Sequence, residues 1–324
     1  MSTTESTVNA TRAATATGQV DAMPSRVAEA GAKRYDRSLL GDAWRRFRRH
    51  KLALVGAFVY VSLILITILG PFVWTVDKNQ IDFSASNQFS SAHPFGADDL
   101  GRDVLARVLW GGRISIAVGL CAMLVAIFIG TLVGSLAGFF GGWLDVILSR
   151  LIEVFLAVPQ LPLLLLIVYL YRTTLVAAFG PEVGVFIMIV GVIGGLNWMA
   201  TARLVRAGFI TQREREYVEA ARCLGAGSAR LMKHILPNTL SPIIVAGTLS
   251  VGSSMIAEST LSFLGLGFTP DTPTWGRLLF DAQNFLTLAP TLALFPGMMI
   301  FLAVLSINFI GDGLRDALDP RRAL

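Results

Sequence analysis

LALVGAFVYVSLILITILGPFVW, residues 52 to 74, carries no charged side chain over its whole length. An α-helix rises about 1.5 Å per residue, so such a run is long enough to cross a hydrocarbon core about 30 Å thick. In that solvent every backbone N–H and C=O must pair within the segment, which leaves a helix as the structure for one isolated run. Five further stretches read the same way: Ile114 to Phe140, Val146 to Tyr171, Val183 to Ala202, about Leu236 to Gly267, and Phe285 to Ile310. The composition agrees. Hydrophobic residues make up 54% of the chain and charged residues 15%, against about a quarter in soluble proteins, and the mean hydropathy is +0.63. The expected fold class is an all-α membrane protein with six transmembrane helices.

The distribution of Lys and Arg predicts the orientation, because positive charge is retained on the cytoplasmic side. With the N-terminus inside, the inner segments hold 21 of the 27 Lys and Arg and the outer segments six. Both termini are therefore expected in the cytoplasm. The same asymmetry accounts for the net charge of +5, so no nucleic-acid partner is implied. Residues 1–40 are rich in Ser, Thr and Ala without an apolar run, which predicts a disordered tail and not a cleavable signal peptide. Residues 41–113 hold a basic amphipathic segment, the first span and an outer loop; Trp44 and Phe47 are expected among lipid head groups. Residues 114–312 hold the other five spans, and 313–324 form a C-terminal tail.

Little in the chain suggests catalysis. Cys121 and Cys223 fall on opposite elements, so a disulfide is not expected, and His50, His93 and His234 are scattered over three segments, away from any metal cluster. No GxxxxGK[ST] phosphate loop is present. A nucleotide-driven process would need its motor on another chain.

One segment breaks the apolar pattern. In REREYVEAARCLGAGSARLMKHILPN, residues 213 to 238, six Arg and Glu side chains fall between Arg213 and Arg222. Thr211 with Glu214 three residues on makes a capping box, which predicts a helix from Gln212, and Gly225 is placed to end it in a left-handed conformation. Tyr217, Ala221 and Leu224 share one face at i, i+4 and i+7, with Val218 beside them. Ser228 is placed to cap a second short helix over 229–235, with Pro237 marking the turn into the fifth span. Ala220 and Ala221 leave the helix backbone open to close approach. The pattern fits a helix seated in a partner's groove, and equally an interfacial helix lying on lipid.

EAARCLG (219 to 225), followed by Ile235, Leu236 and Pro237, resembles the EAA loop of the permease subunits of bacterial ABC importers. HPFGADDLGRDVLARVLWGGRISIAVG (93 to 119), ARLVRAGFITQREREYVEAA (202 to 221), HILPNTLSP (234 to 242), ESTLSFLGLGFTPDTPTWGRLL (258 to 279) and GDGLRDALDPR (311 to 321) extend the resemblance. Together they are similar to the second permease of dipeptide and oligopeptide importers, the DppC/OppC type. That family also serves nickel, glutathione and other small solutes. The resemblance implies the type I importer permease fold, with the loop over 211–237 forming a cytoplasmic coupling helix that docks in a cleft of the ATPase subunit. It makes Tyr217, Glu219, Ala220, Ala221, Leu224 and Gly225 the coupling residues. It implies a second permease, two ATPase subunits that bind ATP and Mg, and an extracytoplasmic solute-binding protein; this chain itself holds no cofactor. In the family pattern thirteen residues separate the glycine from the proline, whereas Gly225 to Pro237 is twelve, which implies a reshaped turn or second helix.

The outer loop from Thr75 to Gly112 is longer than a connection requires. Asp98 and Asp99 begin a predicted helix in which Leu100, Val104 and Val108 recur every four residues. By the resemblance, Asp98, Asp99 and Arg102 lie near the docked binding protein; the alternative is a brace for the second span. Ionisable groups inside spans are candidate functional residues, because each is costly unpaired. Arg150 and Glu153, three apart, are expected to pair or to reach for the interface. Glu258, near the outer end of the fifth span, is placed to meet a substrate ammonium group, to pair with Arg277, or to cap the helix carrying LSFLGLG. Gly130, Gly134 and Gly138 have the spacing that lets helices approach closely, and Pro159 and Pro162 are expected to kink the third span.

Overall fold

A computed structural model describes residues 39–86 and 88–318. The tail expected over 1–40 therefore lies outside the described residues except for its last two, as do residues 319–324. Contacts divide the chain at Asp42. Leu39–Asp42 contribute the first turn of α1 (Leu39–Phe47), and Ala43–Leu324 carries everything else that is described below.

His50 caps α2 (Lys51–Val73) by accepting from the Ala53 N–H at 3.1 Å, and the first span is this single helix. Phe47 does not lie among lipid head groups as expected. It is buried against Ala53 and Ala317, while Trp44 is 59% exposed. The second span is longer than its apolar core. Helix α3 (Val104–Phe140) starts ten residues before Ile114, with Asp103 as its cap, so the boundary expected at residue 113 falls inside a helix.

The third span is where the structure departs most from the hydropathy. Its apolar run is cut into α4 (Gly142–Ala157) and α5 (Gln160–Phe179), and only α5 is long and apolar enough to cross a membrane. The cause is local. A residue before proline is pushed out of the helical region, and Val158 takes φ −79° and ψ 130° ahead of Pro159 at ψ 117°. The prolines thus divide the expected span; they do not merely kink it. Arg150 and Glu153 pair at 2.9 Å on the exposed side of α4.

Helix α6 (Pro181–Arg213) is followed by the short α7 (Glu216–Cys223) and then by α8 (Ser228–Phe263). The expected short helix over 229–235 and the turn at Pro237 are not separate features. The helix is continuous through Pro237 and Pro242, and Gly227 stands at its cap position without a side-chain hydrogen bond. Proline is tolerated inside membrane helices where neighbouring helices satisfy the freed carbonyls. After α9 (Trp275–Ala282) and a 3-10 turn at Gln283–Phe285, the sixth span is α10 (Thr291–Leu318), which starts six residues later than predicted and includes the start of the expected tail. Six helices have the length and composition to cross a membrane. Among the described residues no β-strand forms, only two isolated bridges.

The most extensive helix pair is α3 against α6. Gly130, Gly134 and Gly138 line the seam. A methyl group on any of them would run into the Trp198, Ala202 or Arg206 carbonyl respectively. The two backbones touch, and dispersion replaces the hydrophobic effect as the force that joins them in lipid. Around this seam Met188, Ile189, Ile193, Trp198 and Met199 of α6 bury against Val118 and Ala122 of α3 and against α5. Phe58, Phe72, Phe128 and Tyr169 are more than 70% exposed, as expected of side chains that face lipid.

Candidate functional site

The charged helix forms between two long ones, but not with the start that the capping box predicts. Thr211 is still in α6, where its hydroxyl donates back to the Ala207 carbonyl at 3.0 Å, and Arg215 holds the cap position of α7 without a side-chain bond. The C-terminal end is as expected. Gly225 takes φ +80°, its N–H donates to the Arg222 carbonyl at 2.9 Å, and the Ala226 N–H donates to the Ala221 carbonyl at 3.0 Å. These two bonds close the last turn of the helix as a Schellman motif, which needs a residue without a Cβ penalty at Gly225. The chain then reaches Ser228 and enters α8 directly, and this single continuous helix accommodates the short spacing before Pro237.

Val218 is the anchor. It is 1% exposed and, with Ala221 against it, packs on Phe139, Phe209, Leu231 and Ile235 from three helices. Tyr217 is held at its tip. Its hydroxyl donates to Gln212 Oε1 at 3.2 Å and accepts from Asn238 Nδ2 at 3.1 Å. Arg213 donates to the Phe139 carbonyl at 3.1 Å, so the end of α6 is also tied to the end of α3. What remains outward is Glu219, Ala220, Gly225 and Leu224, the last 89% exposed. Glu219 and Arg222 line a cleft of about 630 Å³ with Phe139, Phe140, Arg213 and Ser228. Of the predicted ridge, Ala221 is turned partly inward, while Tyr217 and Leu224 stay accessible.

A second link holds this end together. Asp145 in the first turn of α4 accepts from Arg206 of α6 through both carboxylate oxygens, one bond being 2.7 Å. The Arg206 hydrogen bonds hold the Asp145 carboxyl below its usual range, against the effect of burial. Sequence reasoning passed over this pair and the Tyr217–Asn238 bond because both join residues far apart in the chain.

At the opposite end the outer loop and α9 interlock. Asp98 accepts from the Leu100 and Arg102 N–H groups and from Arg102 Nε, the last at 2.7 Å. Arg107 lies 3.3 Å from Asp281, which also meets Arg277 at 2.8 Å. Arg107 additionally donates to the Pro270 carbonyl at 3.1 Å, and Trp275 Nε1 donates to the Val108 carbonyl at 3.0 Å. Burial pushes the Asp281 carboxyl up, against the pull of Arg277, Arg107 and Arg102. His93 sits 2.8 Å from Asp103, whose other oxygen accepts from Trp74 Nε1 at 3.1 Å and ties the first span to the second. The helix expected from Asp98 begins only at Val104. Asp98 and Arg102 are buried and turned into this network, and Asp99 is half-buried.

Glu258 does not pair with Arg277 and caps no helix. It is fully buried within α8 and accepts from Ser262 at 2.8 Å, from Ser115 at 3.3 Å and from Ser259 at 3.5 Å. Ser115 in turn accepts from the Trp275 N–H, so the carboxyl group ties α3, α8 and α9 together.

Comparison with known proteins supplies the context for this arrangement. Residues 130–324 match the family described as binding-protein-dependent transport system inner membrane component, and residues 38–91 match the N-terminal TM domain of oligopeptide transport permease C. The chain is 39% identical over 284 residues to the dipeptide transport system permease protein DppC of Alkalihalophilus pseudofirmus, covering 86% of this chain and 89% of that one. It is 41% identical over 283 residues to the glutathione transport system permease protein GsiD of Shigella flexneri, covering 86% and 90%, and 40% identical, with the same coverage, to GsiD of Escherichia coli.

Proposed function

The chain belongs to the family of inner-membrane components of binding-protein-dependent transport systems, as a multi-pass permease subunit of an ABC importer, and we propose that it forms half of a pathway for dipeptides or oligopeptides that is driven through α7. The observation that carries this reading is the split character of α7. Val218 and Ala221 fix it to three long helices, while Glu219, Ala220, Leu224 and Gly225 stand free of the chain's own core. A side chain as apolar as Leu224, 89% exposed beside a polar cleft, fits a partner's groove.

In this mechanism two cytoplasmic ATPase subunits bind ATP and Mg, and hydrolysis moves them together and apart. A helix seated in their cleft and bonded to α3, α6 and α8 converts that motion into rocking of the spans. A homologous permease supplies the other half of the pathway, and an extracytoplasmic binding protein delivers the solute. The charge asymmetry supports a cytoplasmic side for α7 and both termini. The relatives named for dipeptides and for glutathione support an amide-linked solute, and the 41% identity to a glutathione permease makes glutathione the second reading.

The test uses the importer reconstituted with all its subunits. Glu219→Lys and Gly225→Asp should abolish substrate-dependent ATP hydrolysis while membrane insertion stays normal. Normal coupling in both variants removes the assignment. Co-purification with a second permease separates a transporter from a scaffold that merely anchors a cytoplasmic partner.

A further inference from the structure

The break between α4 and α5 lies at the start of α5, the helix long and apolar enough to be the third span. Gln160, the first residue of α5, donates from Nε2 to Asn197 Oδ1 at 2.9 Å, and Asn197 lies sixteen residues from either end of α6. Irregular backbone next to a membrane span is tolerated where it is buried in protein or lines a cavity. Here it lines two. A cavity of about 190 Å³ is bounded by Gln160, Asn197, Ser253 and Thr260 together with apolar side chains. Another of about 270 Å³ lies across the break, bounded by the chain from Phe155 to Gln160 and by Leu163, Leu196 and Met199. Gln160 borders both.

The polar groups form a ladder across three helices. Asn197 Nδ2 passes the chain of bonds on to Ser254 Oγ at 3.3 Å, and Ser254 is fully buried in α8. Among the described residues, Gln160 Oε1 accepts no hydrogen bond, and the second N–H of the same carboxamide is equally unengaged. An exposed carboxamide in that state offers one acceptor and one donor side by side. No ionisable side chain lines either cavity.

We propose that Gln160 and Asn197, with Ser253 and Thr260, form a polar station that hydrogen-bonds the peptide bonds of the translocated solute. A peptide bond presents one C=O and one N–H, the complement of the free edge of Gln160. Such contacts ignore side-chain identity, and being uncharged they are weak enough to release what they bind, as conduction requires. A bare transition-metal ion would instead require imidazole, thiolate or carboxylate ligands, none of which is present there.

The inference rests on the peptide-permease reading, and the experiment separates the two. Uptake of radiolabelled dialanine and of radiolabelled glutathione is measured in the complete reconstituted importer, alongside ATP hydrolysis stimulated by the binding protein. Gln160→Leu should lower uptake about fivefold, the effect of one lost hydrogen bond, while stimulated hydrolysis stays near the wild-type rate. Asn197→Leu should do the same, and Gln160→Asn should recover part of the loss. Unchanged uptake in Gln160→Leu overturns the station, and so does a parallel fall in hydrolysis, which would place the residue in assembly. If the wild-type importer moves neither probe, the peptide reading itself falls, and the station with it.

Discussion

The two ends of the membrane domain handle charge in opposite ways. At the end bearing the outer loop, Asp98, Arg102, Arg107, Arg277 and Asp281 are drawn inward and bonded to one another. At the end bearing α7, Glu214, Arg215, Glu216, Glu219 and Arg222 remain exposed around an apolar ridge. Buried charge must be compensated by its own chain, so it reports on architecture. Charge left in water beside an uncovered leucine costs nothing to hold and is available to a partner. The difference teaches that the density of charged residues is a poor guide to function until their burial is known.

Substitutions can break this comparison. The largest effect is expected from Asp98→Ala, which leaves Arg102 and Arg107 buried with too little negative charge; the loss should be about 3–5 kcal/mol, seen as collapse of the folded peak in detergent gel filtration. Asp145→Asn should cost about 1.5–3 kcal/mol in thermal melts, since it removes charge-assisted bonds to Arg206. Its pH dependence has a definite sign. The bonds from Arg206 hold the native carboxyl below the ordinary aspartate range, so its contribution is fully present above that range and is lost as pH falls through the lower native value. The melting gap between wild type and Asp145→Asn should therefore be constant from about pH 5 to pH 8 and should close in more acidic buffer.

Gly225→Ala should cost about 1 kcal/mol, read as a lowered melting temperature, because the Cβ is disfavoured at positive φ. Leu224→Ser should be smallest in stability, within about 0.5 kcal/mol. Co-purification of the ATPase subunits should nevertheless fall in that variant. Retention of full ATPase binding there would blur the distinction between the two ends.

Much of this was legible in residue order. Runs such as 52–74 reveal themselves by length and lack of charge, and Gly225 announced its helix end because few residues take φ +80° cheaply. The third span misled because hydropathy is blind to backbone angles: VPQLP stays largely apolar while Val158 leaves the helix. The start of α7 misled because the Thr211 hydroxyl had two possible partners, a downstream N–H from which to accept or an upstream carbonyl to which to donate, and in α6 it donates to the carbonyl. Gln160 and Asn197 carried a faint signal, two carboxamides in apolar surroundings. Their meeting across 37 positions is a product of topology, as is that of Arg107 with Asp281.

The glycine seam between α3 and α6 has one further consequence. With carbonyls of one helix lodged where the other has no side chains, neither can slide along or rotate against its neighbour without a steric collision. The pair is a stiff beam. Val218 packs on both members of this pair through Phe139 and Phe209, so a load applied there would meet a rigid unit, whereas the α4–α5 joint at Val158 and Pro159 leaves helical geometry and would yield first.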